Sequence, residues 1–170
     1  MTVEERFLTF IKANRGILYK IANSYSRNDA DRNDLVQEML AQLWSSFDRY
    51  DPQFKFSTWM YRVTLNVAIS TYRKDANRRK RFTEYDDQTL NVASDHEPNE
   101  LERQVSLLNL FLSELNELDR ALMLLYLEEV PQKEIAAILG ISESNVSTKI
   151  GRTKEKLRQR FSKLEQPNDG

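Results

Sequence analysis

The chain should fold as an all-α protein of two small helical domains joined by a flexible linker. Its apolar residues recur at the 3.6-residue period of amphipathic helices, while alternating β-branched runs are scarce. Four prolines in all interrupt those stripes. Between two blocks of helical pattern, Thr83 to Asn99 turns polar and acidic (Glu84, Asp86, Asp87, Asp95, Glu97) and carries Pro98, as an inter-domain linker does. The expected limits are 1–82 for a three-to-four-helix domain, 83–99 for the linker, 100–164 for a four-helix domain and 165–170 for a fraying tail.

The first helix is expected over Val3 to Tyr25, with Phe7, Phe10, Ile11, Ile17, Leu18, Ile21 and Ala22 inward and a weak point at Asn14, Arg15 and Gly16. A polar turn follows. From Asp31 or Asn33 a second helix carries Leu35, Val36, Met39, Leu40, Leu43, Trp44 and Phe47 on a wide apolar arc, with Trp44 assigned to the core. It should stop before Pro52, which disfavours helix in the residue preceding it. Tyr50 to Phe56 is a short loop with three aromatic residues. Ser57 or Thr58 is placed to cap a third helix, which buries Trp59, Met60, Val63, Val67 and Ala68 and ends on Arg73, Lys74, Arg78, Arg79, Lys80 and Arg81.

Past the linker, Leu101 to Leu115 should turn Val105, Leu108, Phe111, Leu112 and Leu115 inward. Leu118 to Leu127 forms the next helix, capped by Asn116 or Asp119. Gln132 to Leu139 has Ile135, Ala136 and Leu139 at helical spacing, and Gly140 can end it in the left-handed conformation. Ile141 plugs the turn and Ser142 offers an N-cap oxygen. A last helix then carries the stripe Val146, Ile150, Leu157, Phe161 and Leu164. Two helices joined by so tight a turn make a helix-turn-helix. Between Lys149 and Lys163 seven cations (Lys149, Arg152, Lys154, Lys156, Arg158, Arg160, Lys163) face one anion, Glu155, a net of +6. Short polar side chains precede them, as a recognition helix meets base edges at its N-terminal end and phosphates behind.

Composition excludes several classes. The net charge of -1 carries no global nucleic-acid signature, so any basic surface is local. Cysteine is absent and His96, inside the linker, is the single histidine, which removes disulfides, thiol nucleophiles and nearly all transition-metal sites. Four scattered glycines (Gly16, Gly140, Gly151, Gly170) leave no Gly-rich phosphate loop. No metal or cofactor is expected. No apolar run approaches ~20 residues and MTVEERFLTF lacks the pattern of a signal peptide, so a cytoplasmic protein without membrane insertion is expected.

Four stretches together resemble the sigma factors of bacterial RNA polymerase, of the sigma-70 type and its extracytoplasmic-function group. DLVQEMLAQLW (Asp34 to Trp44) is similar to that family's region 2.2, and FSTWMYRVTLNVAISTYRK (Phe56 to Lys74) to regions 2.3 and 2.4. LSELNELDRALMLLYL and PQKEIAAILGISESNVSTKIGRTKEKLRQRF are similar to regions 4.1 and 4.2. The helix-turn-helix alone is weak; the FxxWxYRVxxN block preceded by DLVQE is specific. There is no room for the middle domain of the larger members, whose place the linker occupies.

The resemblance implies an initiation factor without covalent chemistry. Asp34, Leu35, Gln37 and Glu38, with Trp44 beside them, match positions that pack on the clamp helices of the polymerase largest subunit. YDPQFKF matches the segment that captures a base flipped from the promoter −10 element, with Tyr50, Phe54 and Phe56 as candidates. Asn66 matches a position that touches −10 bases, and Arg62, Arg73 and Lys74 would hold phosphates. The −35 readers align with Ser147, Thr148, Gly151 and Arg152, with Ser144, Asn145 and Lys149 adjacent. Ser147 stands where many relatives carry Arg and Gly151 offers no side chain, so groove shape and backbone contacts should carry more of the specificity. Glu129 takes a turn position where Gly is frequent, and Leu125 one where a basic residue is frequent.

The implied partners are RNA polymerase core (largest-subunit clamp and flap regions), promoter DNA and an anti-sigma factor, and the free protein is expected to be a monomer. One rival reading is a polymerase-independent dimeric helix-turn-helix regulator, which predicts a homodimer and a palindromic site. Another is a nuclease using Asp29, Asp31 and Asp34 on a metal, although an acidic loop before a helix is more often N-capping.

Overall fold

The structure is a computed structural model that describes residues 1–81 and 97–165, with the backbone alone for 79–81. Within those residues seven α-helices and one 3-10 turn account for the architecture, with no strand. The chain divides into two compact units between Glu97 and Pro98 in sequence. The expected linker, His96 included, lies outside the described residues except for 97–99, as does the tail beyond 165.

The first unit is a three-helix bundle. Helix α1 (Val3–Tyr25) opens with a capping box: Thr2 Oγ1 accepts the Glu5 N–H at 3.2 Å while Glu5 accepts the Thr2 N–H at 2.8 Å. It breaks at Asn14, whose backbone leaves the helical region (φ −122°, ψ 16°) while its Nδ2 donates to the Phe10 carbonyl at 2.9 Å. Helix α2 (Asp29–Ser46) starts earlier than the expected Asp31 or Asn33. Asn28 has extended backbone (φ −147°, ψ 173°), and its Oδ1 takes the Asp31 N–H at 2.8 Å. A 3-10 turn, Phe47–Arg49, closes α2. Helix α3 (Phe56–Arg81) begins one residue before the expected caps, with the Trp59 N–H on the Lys55 carbonyl, which leaves Ser57 and Thr58 inside its first turn.

Leu18, Ile21, Ala22, Leu35, Met39, Leu43, Met60, Leu65 and Ala68 fill the core of this unit. Two expectations fail here. Trp44 is 44% exposed, and Trp59, Val63 and Val67 are only half-buried. Leu65 and Thr64 point to the centre instead, and the Thr64 hydroxyl satisfies itself on the Met60 carbonyl at 2.7 Å.

The second unit contains α4 (Glu100–Glu114), α5 (Glu117–Leu127), α6 (Gln132–Leu139) and α7 (Glu143–Glu165). Asn99 and Asn116 cap α4 and α5, each taking the N–H three residues on at 2.8 Å. Buried Arg120 then ties the two helices together. Its Nε donates to the Leu112 carbonyl, which also accepts the Leu115 N–H, at 3.1 Å, and its Nη2 to those of Ser113 (2.7 Å) and Leu115 (3.1 Å), where α4 ends. Between α5 and α6, Glu129 adopts φ 59°, the left-handed region that favours glycine. Ile135, Ala136, Ile138, Val146, Ile150 and Leu157 make the core with Leu122, Met123 and Leu125. Val105 and Leu164 are exposed, contrary to expectation.

Candidate nucleic-acid interface

In the first unit the loop after α2 is built on aromatic packing. Phe56 stacks on Phe10 (centroids 4.6 Å, planes 12° apart), and Tyr50 meets Phe56 edge to face at 5.4 Å and Trp59 at 5.3 Å. Phe47 closes the cluster, 6.3 Å from both Tyr50 and Trp59. The turn is then tightened by polar bonds: the Asp51 carboxylate accepts the Gln53 N–H at 3.0 Å, the Asp51 carbonyl accepts the Phe54 N–H at 3.1 Å, and the Tyr50 hydroxyl donates to the Phe54 carbonyl at 2.7 Å. Phe54 is left 65% exposed. Among the three aromatic candidates, Phe56 is 7% exposed and acts as a core staple, Tyr50 is half-buried, and Phe54 alone presents most of its ring.

Along α3, Arg62, Asn66, Arg73 and Asn77 are exposed and fall on one outward face, since steps of four, seven and four residues each return near the same angle. The face runs about 22 Å. Lys74 is exposed beside it. An exposed Asn66 needs no internal partner for its amide, so its place amid apolar residues follows from the face it occupies. Asn77 extends the stripe and was not singled out from the sequence.

On α2, Asp34, Gln37 and Glu38 are exposed, whereas Leu35 is buried in the core and has little surface for a partner. Thr71 of α3 donates a long bond to Glu38 at 3.4 Å. Asp34, Gln37, Ala41 and Trp44 share one side of the helix. Trp44 makes an edge contact with Phe7 at 5.0 Å and stays partly open to solvent, which gives this polar side an apolar anchor.

In the second unit the turn of the helix-turn-helix forms as its sequence requires. Gly140 adopts φ 70°, ψ 33°, and its N–H and that of Ile141 both reach the Ala136 carbonyl. Ser142 Oγ accepts the Asn145 N–H at 3.1 Å and starts α7. Val146, Ile150, Thr153 and Leu157 face inward. Ser144, Asn145, Ser147, Thr148, Gly151 and Arg152 are all exposed.

The cations of α7 divide into two groups. Lys149 is half-buried with its Nζ 3.8 Å from buried Asp119; Lys154 donates to the Tyr126 hydroxyl at 3.2 Å; Arg158 pairs with Glu155 at 3.0 Å; Arg160 grips Glu114. Lys149, Lys154 and Arg160 are thus engaged with α4 and α5, so the net of +6 overstates what DNA would meet. Asn145, Thr148, Arg152, Lys156 and Lys163 follow one another along a single exposed side. Gly151 is exposed in mid-helix, and a Cβ there would meet no heavy atom within 4 Å. Relative to Ala it costs α7 about 0.5–1 kcal/mol with no packing return.

The architecture has known counterparts. The family model for sigma-70 region 2 matches residues 10–79, and that for sigma-70 region 4 matches residues 107–157. The RNA polymerase sigma factor CnrH of Cupriavidus metallidurans is 30% identical over 149 residues, 82% of this chain and 78% of the relative. The chain belongs to the sigma-70 family of RNA polymerase sigma factors. Two Bacillus subtilis relatives span it more fully: sigma factor SigV, 26% identical over 95% of each chain, and the extracytoplasmic-function sigma factor SigW, 25% identical over 95% of this chain and 91% of the relative.

Two solved structures share the fold. CnrH in complex with the cytosolic domain of CnrY has a TM-score of 0.68 at 22% identity, covering 94% of this chain and 89% of that one. The sigma factor RpoE in complex with the anti-sigma factor NepR from Bartonella quintana has a TM-score of 0.70 at 19% identity, covering 96% and 98%. This sigma factor is therefore of the extracytoplasmic-function type and directs transcription initiation; the dimeric regulator is not favoured. No described helix is long and apolar enough to cross a membrane.

Proposed function

We propose that the first unit docks on RNA polymerase core and opens the −10 element, while the second anchors the complex at the −35 element. Asp34, Gln37, Glu38 and Trp44 would meet the largest-subunit clamp, a mixed polar and apolar surface suited to a reversible protein interface. The second unit would rest on the flap. Unstacking a base costs a few kcal/mol, and stacking on an exposed ring returns ~1–3 kcal/mol. Phe54, with Tyr50 beneath it, would take the flipped base. Arg62, Asn66 and Arg73 would follow the same strand, with Asn66 at base edges and the arginines on phosphates. Ser144, Asn145, Ser147, Thr148 and Arg152 would enter the −35 major groove, with Lys149 held back by Asp119.

The observation that carries this reading is the folded loop of residues 50–56, in which the Tyr50 hydroxyl holds the Phe54 carbonyl at 2.7 Å and the Phe54 side chain stays exposed just before α3 begins. Two modest DNA surfaces on one chain gain from acting through a single polymerase, where the second contact is made at high effective concentration. The protein works in the cytoplasm, as a monomer when free, performs no covalent chemistry, and is held in check by an anti-sigma partner. The functional domains are 1–82 and 100–164 with a linker between.

Run-off transcription with purified core polymerase on a promoter library tests the reading. Initiation from a definable −35/−10 class is the expected result, with poor promoter binding by the free protein. No initiation from any template, or tight specific binding without core, would overturn it.

A further inference from the structure

Helix α1 is weakened at a place where its packing does not require it. Asn14, Arg15 and Gly16 stand together in its middle, and both Asn and Gly are poorer helix formers than Ala. A Cβ at Gly16 would meet no heavy atom within 4 Å among the described residues, so no neighbour demands glycine there. At Asn14 the backbone leaves the helix (φ −122°, ψ 16°), and its Nδ2 donates to the Phe10 carbonyl at 2.9 Å. The kink separates residues with different partners. Leu18, Ile21 and Ala22, after it, lie in the helical core. Phe7 and Phe10, before it, belong to the aromatic cluster: Phe7 lies 5.2 Å from Phe47, and the Phe10 ring meets both ends of the 50–56 loop. It stacks on Phe56 at 4.6 Å and meets Tyr50 edge to face at 6.0 Å. Tyr50 in turn donates its hydroxyl to the Phe54 carbonyl at 2.7 Å.

We infer that Asn14 and Phe10 are positioning residues for promoter opening: the kink seats Phe10 between Tyr50 and Phe56, and Phe10 thereby fixes the loop that presents Phe54. The inference rests on the reading of Phe54 as the ring that takes the flipped base; Asn14 and Phe10 act through it and through Tyr50. Stacking gains most when the ring is in place before the base arrives, because ordering the loop at that moment would offset part of the gain. A straight α1 would aim Phe10 elsewhere and leave the two ends of the loop without their common wall. Residues that weaken the helix stand in its middle because the bend serves the loop and not the bundle.

The test follows opening of a duplex promoter, selected by the wild-type holoenzyme from a library, through permanganate reactivity of −10 thymines. It compares holoenzymes carrying wild type, Asn14→Ala, Phe10→Leu, Phe54→Ala and the Asn14→Ala/Phe54→Ala double variant. Free Asn14→Ala should melt within about 4 °C of wild type, since the helix propensity of Ala offsets the lost side-chain bond. It should nevertheless open the promoter about fivefold more slowly, the lower end of what one base stack is worth. Phe10→Leu, which keeps the apolar bulk but not the ring, should be slowed as well. The double variant should be no slower than Phe54→Ala alone, because there is then no ring left to misplace; a purely structural defect would add its own loss. Wild-type opening by either Asn14→Ala or Phe10→Leu would overturn the inference, as would losses that multiply in the double variant. So would a fall of more than about 8 °C in the melting of Asn14→Ala, since the kink would then serve the fold. Normal opening by Phe54→Ala would instead overturn the base-capture reading on which the inference stands.

Discussion

Arg160 holds Glu114 through two hydrogen bonds, Nε to Oε2 at 2.9 Å and Nη2 to Oε1 at 2.7 Å, while its guanidinium lies 4.8 Å from the centre of the Phe111 ring. With Phe161 meeting Phe111 edge to face at 4.7 Å, this fastens the C-terminal half of α7 to α4. The rear of the basic helix is thus a packing element. Salt dependence should separate the two classes of cation. Binding of holoenzyme to a −35 duplex, plotted as log K against log salt, should lose about one unit of slope in Arg152→Ala or Lys156→Ala. Arg160→Ala should leave the slope unchanged, and a reduction equal to that of Arg152→Ala would show Arg160 on a phosphate.

Arg120 is buried and donates to three main-chain carbonyls at the end of α4. Replacing it with Met takes the side-chain donor from the Ser113 and Leu115 carbonyls and should destabilise the second unit by about 2–4 kcal/mol in urea titrations followed by circular dichroism. Arg120→Lys should recover only part of the loss, because an ammonium cannot reproduce the planar fork. Equal stability of the Met variant and wild type would remove Arg120 from this role.

Glu129 occupies the left-handed region at φ 59°, a conformation costing an ordinary residue about 1–2 kcal/mol. Glu129→Asn should raise the melting temperature of the second unit, by about 0.5–1 kcal/mol in stability, since Asn tolerates this conformation. Glu129→Val should lower it. The opposite order of the two variants would show that other contacts of the turn decide its stability.

Phe54 and Phe56 differ by two positions and should fail in opposite ways. Phe54→Ala removes an exposed ring and should leave thermal stability within about 0.5 kcal/mol of wild type. It should slow promoter opening, as reported by permanganate reactivity of −10 thymines. Phe56→Ala removes a ring stacked on Phe10 and should cost about 3–5 kcal/mol of stability. Normal opening with Phe54→Ala would remove that ring from base capture.

Features set by neighbours in sequence were legible before the structure. Gly140, Ser142 and Asn14 act within a turn of themselves, so the helix-turn-helix and the bend in α1 could be placed from residue type alone. The start of α2 was not. Asn28, Asp29, Asp31 and Asn33 are all competent caps, and only the backbone distinguishes them. Trp44, Val105 and Leu164 lie on apolar stripes yet are exposed, since periodicity states which side of a helix is apolar and not how far a neighbour covers it. Charge counting failed for a related reason: Lys149, Lys154 and Arg160 have partners on α4 and α5, tens of residues away in sequence. Arg120 illustrates the same limit, since nothing local shows that a preceding helix will offer it three carbonyls.

Both tryptophans, Trp44 and Trp59, stand in the first unit, one partly open on α2 and the other half-buried in the aromatic cluster. Intrinsic fluorescence excited at the red edge of the indole band therefore observes one half of the molecule without any label. Trp44 should be reachable by acrylamide and Trp59 shielded, so a single quenching curve resolves two populations. Docking of a partner on α2 would turn the accessible fraction dark to quencher, while a base settling into the neighbouring loop would perturb the shielded one. The two events of initiation assigned to this unit thus have separate optical signatures in the unmodified protein.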